Sequence, residues 1–73
     1  MTGREKEIMG VVTRTGKATP RQIGEILSIT TGYAEQLCNM MTMKEYLVKM
    51  GKFFAPAEKF YEQFSYKTAA AGK

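Results

Sequence analysis

The chain has no histidine, no aspartate and a single cysteine, Cys38. These absences remove most of the side chains from which enzymes assemble acid, base and metal chemistry. No internal disulfide can form, and Cys38 has no histidine or second cysteine with which to share a metal. Lying in an apolar stretch, it reads as a small buried hydrophobe in preference to a reactive thiol. A lone cysteine also fits a reducing compartment. The chain lacks a glycine-rich phosphate loop and carboxylates paired at metal spacing, and Ser28 and Ser65 have no base near them in sequence. Nothing here builds a nucleophile, a base and an oxyanion site together. Catalysis is not expected, and neither is a metal or another cofactor.

Long apolar runs are missing as well. No stretch approaches the roughly 20 apolar residues that span a bilayer. The charged start, Met1-Thr2-Gly3-Arg4-Glu5-Lys6-Glu7, lacks the apolar core of a signal peptide. The expectation is a soluble cytoplasmic protein with no membrane partner.

What is present fits one small domain, since 73 residues leave room for no more. A domain of this size buries only about 60% of the surface its unfolded chain exposes. Its stability should be about 4–11 kcal/mol, which leaves little freedom for a deep catalytic cavity. With 44% hydrophobic and 25% charged residues the composition is that of a folded domain. The net charge of +4 leans toward a polyanionic partner. It is unevenly spread: residues 1–21 hold five basic and two acidic side chains, and residues 22–43 only Glu25 and Glu35. Residues 44–73 hold six lysines and three glutamates, so two basic ends flank a mildly acidic middle.

Periodicity divides the chain into elements. Ile8, Val11, Val12 and Thr15 recur at helical spacing, with Gly16 placed to end a helix over Arg4 to Thr15. Thr19-Pro20-Arg21-Gln22 is a capping box with proline at the first helical position. The helix it opens runs to Leu27 and turns Ile23, Ile26 and Leu27 inward, while Gly24 admits a neighbouring backbone. Lys17-Ala18, just ahead of the box, could form a short strand. After the break Ser28-Ile29-Thr30, a third helix capped by Thr30 or Thr31 reaches about Lys44. It directs Ala34, Leu37, Cys38, Met41 and Tyr46 toward the core. Tyr46 to Met50 and Lys52 to Ala55 are strand-like around Gly51 and read as a hairpin, with Pro56 stopping the second strand. Helical spacing resumes from Ala57 to about Tyr66, and residues 67–73 form a frayed tail. The fold class is α+β, mainly α: a three-helix core, a β-hairpin wing and a C-terminal helix within one domain, residues 4–66.

This order of elements resembles the winged helix-turn-helix family of MarR-, ArsR- and IclR-like regulators. The likeness is carried by residues 19–55. Thr19 to Leu27 looks like the family's second helix, and Leu27-Ser28-Ile29 resembles its Leu-Gly-Ile turn with Ser28 in place of glycine. Ala34, Cys38 and Met41 fall where the recognition helix places its inward residues. Tyr46-Leu47 matches the apolar pair that opens the wing, with Glu45 where glycine is common. The resemblance implies a double-stranded DNA-binding protein that regulates transcription, with the third helix in the major groove and the wing on phosphates. Groove-facing positions are then Thr30, Thr31, Gly32, Tyr33, Gln36 and Met40, with Gln36 able to read adenine through paired bonds. Lys17, Arg21, Lys49 and Lys52 would neutralise phosphates, and Arg14 would stand on the same rim.

Some features point elsewhere. No arginine or lysine lies between Gln22 and Met43, and Glu35 falls close to the groove-facing side. Counterion release therefore depends on cations around the rim, and scattered lysines are equally read as solvated surface. Met40, Met41 and Met43 cannot all face one core, and exposed methionine suits adaptable protein-binding surfaces. A winged helix that docks on a protein through these methionines and Tyr33 is the alternative function. Phe60, Tyr61 and Phe64 form an apolar stripe that covers either the first helix or a second copy, giving a homodimer that reads two half-sites.

Overall fold

In the computed structural model, residues 1–57 are described. The expected C-terminal helix, with Phe60, Tyr61 and Phe64, and the tail from residue 67 lie outside them. The described part is a mainly helical α+β arrangement of α1 (Gly3–Thr15), α2 (Pro20–Leu27), α3 (Thr31–Met43), β1 (Leu47–Met50) and β2 (Phe53–Pro56). Among these elements, no helix is long and apolar enough to cross a membrane.

Local chemistry sets each boundary. At α2 the Gln22 N–H donates to the Thr19 hydroxyl at 3.2 Å, and the Thr19 N–H donates to Gln22 Oε1 at 2.9 Å. This closes the capping box read from the sequence, with Pro20 at the position where a missing donor costs nothing. A second box opens α1 and was not anticipated: the Glu5 N–H donates to Thr2 Oγ1 and the Thr2 N–H to Glu5 Oε1. At α3 the cap is Thr30, whose hydroxyl accepts from the Tyr33 N–H at 3.1 Å.

The link from α2 to α3 is tight because one backbone passes close to another. A Cβ on Gly24 would stand 2.7 Å from the Ile29 carbonyl oxygen, so only glycine lets the turn fold back. Ser28 closes α2 in the left-handed region, φ +59°, and Glu45 does the same between α3 and β1 at φ +66°. Both are residue types for which that region costs energy.

The hairpin is antiparallel, with Leu47 opposite Pro56 and Met50 opposite Phe53 around the loop Gly51-Lys52. Gly51 has φ +64°, as a Gly-X two-residue hairpin loop requires at its first position. Pro56, expected to stop the strand, is instead its last paired residue. On the other edge of β2 the expected strand at Lys17-Ala18 is a single bridge. The Ala18 and Phe54 backbones exchange bonds of 3.0 and 2.8 Å.

The core joins Ile8, Val11 and Val12 of α1 to Ala18, Ile23 of α2, and Ala34, Leu37, Cys38 and Met41 of α3. Leu47 and Phe54 of the hairpin complete it, and Tyr46 packs half-buried at its edge. Full burial of each large apolar side chain contributes about 1.5–3 kcal/mol. One expectation fails here. Ile26 is 51% exposed, because the buried face of α2 is centred on Ile23, Gly24 and Leu27 and leaves Ile26 on the opposite flank. Thr15 ends α1 as its spacing suggests; it is exposed, and its hydroxyl oxygen lies 2.9 Å from both the Val11 and the Lys17 carbonyl oxygens, sharing its one proton between them.

One buried charge fastens the ends together. The Glu5 side chain is only 3% exposed, and its Oε2 accepts from Lys44 Nζ at 3.1 Å, across 39 positions of chain. The Thr2 N–H and the Lys44 ammonium hold its carboxyl below the usual carboxylate range against the opposing effect of burial.

Candidate nucleic-acid interface

The hairpin and the beginnings of α2 and α3 enclose an open cleft of about 530 Å³. Three elements contribute to it for separate reasons. The capping box turns the chain so that Arg21 projects from the first turn of α2. The Thr30 cap starts α3 so that Thr31 and Glu35, four residues apart, share the flank facing the hairpin. The Gly51 turn then brings Lys49 and Lys52 to the opposite wall, over a floor that includes Phe54.

Arg21, Thr31, Lys49 and Lys52, four of the residues read from the sequence as DNA contacts, therefore line one cleft. Among the described residues, three cations stand against the one carboxylate of Glu35 in this lining. The cations differ in their engagement. Arg21 Nε lies 3.5 Å from Glu25 Oε1 in a pair whose side chains are 84% and 71% exposed, so solvent screens it. Lys49 Nζ lies 5.9 Å from the centre of the Phe54 ring, at the outer limit of a cation–π contact.

Lys17, Thr30, Tyr33 and Gln36, also read from the sequence as contacts, do not line the cleft. Lys17 is exposed and stands 4.6 Å above the Phe53 ring, held to the hairpin by its π face. The Thr30 hydroxyl is occupied as acceptor for the cap. Tyr33, 45% exposed, and the exposed Gln36 lie on the outer side of α3. Met40 and Met43 join them there, 41% and 85% exposed, whereas Met41 is fully buried.

Glu35 has a second effect. Its charge adds to burial in pushing the Cys38 thiol up to about 11, so the thiol stays protonated and unreactive near neutral pH. Thr19 and Pro20 also line the cleft and were read from the sequence only as helix-capping residues. Nothing local signals their second position, because the hairpin that faces them is distant in the chain.

Compared with protein-family models, with curated proteins and with solved structures, the chain finds no match.

Proposed function

We propose that this chain is a winged helix-turn-helix module that binds double-stranded DNA as part of a transcription regulator. In this reading α3 enters the major groove and the hairpin is the wing. The observation that carries it is the cleft: Arg21, Lys49 and Lys52, from two distant parts of the chain, converge beside the first turn of α3. A phosphate strand running through that cleft would meet three cations and the Thr31 hydroxyl, while α3 lies against the adjoining base edges. The left-handed Ser28 and Glu45 support the resemblance further, since they stand at the two junctions where the family commonly uses glycine.

A titration of mixed-sequence duplex by fluorescence anisotropy tests the reading. Binding should be measurable near 50 mM salt and should weaken as salt rises, with a log–log slope that reports the number of phosphates neutralised. Replacing Lys49 and Lys52 together by alanine should weaken binding to all sequences alike and flatten that slope by roughly two. Absence of binding at 50 mM salt rejects the reading.

One observation favours a protein partner instead, namely the exposure of Tyr33, Met40 and Met43 on one side of α3. A partner whose capture is lost on Met40→Glu but kept on Lys49→Ala would establish that function.

A further inference from the structure

The outer face of α3 has a chemistry of its own. Tyr33, Gln36, Met40 and Met43 recur at i, i+3, i+7 and i+10, so they stack along one side of the helix. All four are exposed, and the exposed Asn39 lies beside them. No arginine or lysine occurs anywhere from residue 22 to residue 43. The result is an uncharged stripe about 15 Å long, on a different flank of α3 from Thr31 and Glu35, which line the cleft with Arg21, Lys49 and Lys52.

We infer that this stripe reads A·T base pairs through the major groove. The inference rests on the DNA-binding reading above and specifies what that site recognises. The occupant follows from charge complementarity: a duplex carries its charge on the phosphates, which match the cleft, and its base edges are uncharged, as the stripe is. Among base edges the match is selective. The amides of Gln36 and Asn39 each pair one donor and one acceptor, the complement of adenine N7 and N6. Tyr33, Met40 and Met43 present apolar surface of the kind that contacts the thymine methyl group. Guanine offers two acceptors to this groove and is met best by arginine or lysine, which the stripe does not contain.

The test uses duplexes of equal length with an A·T core or a G·C core, and two single-group probes. Uracil in place of thymine removes the methyl, and 7-deazaadenine in place of adenine removes N7. At about 50 mM salt the wild-type chain should prefer the A·T core by about fivefold or more. It should lose affinity severalfold on each altered duplex. Met40→Ala should narrow the difference between thymine and uracil duplexes, and Gln36→Ala should narrow the loss on 7-deazaadenine. Both positions are exposed, and unchanged circular dichroism checks that the variants stay folded. Equal affinity for the two cores, or probe losses undiminished in the variants, overturns the inference. If Lys49→Ala still weakens all binding in that case, the phosphate cleft survives and only the base assignment fails. If no duplex binds at all, both readings fail together, and the stripe is left as a protein-docking surface.

Discussion

The two sides of α3 use similar residues for different ends. On the inner side Met41 and Cys38 are fully buried, with Ala34 and Leu37 beside them, and close the core against α1, α2 and the hairpin. On the outer side Met40, next in sequence to Met41, is 41% exposed and Met43 is 85% exposed. Residue type therefore says little about role on this helix. The angle around the axis decides it, with about 100° between successive residues. The inner side holds the fold together, and the outer side leaves Met43 almost wholly in solvent.

The sharpest way to break this contrast is to truncate both kinds of methionine. Met41→Ala should lower unfolding free energy by about 2–5 kcal/mol, a large share of what a domain this small has. Met43→Ala should change it by less than about 0.5 kcal/mol, and urea denaturation of the two variants compares them directly. Equal losses would mean that the outer side is covered.

Backbone positions that aim α3 come next. Gly24→Ala puts a methyl 2.7 Å from the Ile29 carbonyl. The turn must open, so a net loss of about 1–2 kcal/mol is expected despite alanine's better helix propensity. Ser28→Gly and Glu45→Gly work in the opposite direction. Each relieves a left-handed backbone and should raise stability by about 0.5–1 kcal/mol, seen as a higher thermal midpoint.

The tether at the far end of α3 predicts a pH effect of definite sign. Glu5 titrates below its ordinary value when folded, so its contribution is present above the unfolded pKa and disappears as pH falls through the folded one. The advantage of wild type over Glu5→Gln should thus be full at pH 7 and shrink under acid. Glutamine retains the capping acceptor and loses the Lys44 ion pair, so thermal midpoints across that range isolate the pair. The smallest effect on stability belongs to Glu35→Gln, within about 0.5 kcal/mol because the side chain is exposed. Its effect on binding should be larger. Removing the one carboxylate from the cleft should raise duplex affinity severalfold at low salt, as anisotropy would measure.

The parts that were legible in the sequence are those governed by neighbours. Thr19-Pro20-Arg21-Gln22 carries its own hydrogen-bond geometry, and Ala34, Leu37, Cys38 and Met41 mark the buried side by spacing alone. Gly24 also announced a close backbone approach, because glycine inside a helix is costly without one. Ile26 misled because helical spacing admits apolar residues on either flank of Ile23, and only the packing partner selects the flank. The candidate site was half legible. Its cations were identifiable one by one, but their meeting in a single cleft was not.

Local rules thus determined the three helices, their caps, the hairpin turn and the inward side of α3, since each depends on groups within about four residues. Tertiary structure alone decided that Lys44 would neutralise Glu5 from 39 positions away. It also decided that Lys49 and Lys52 would face Arg21, and that Glu35 would sit among them. Those outcomes depend on how the three helices and the hairpin pack on one another, which is set by the shape of the shared core and by no short-range pattern.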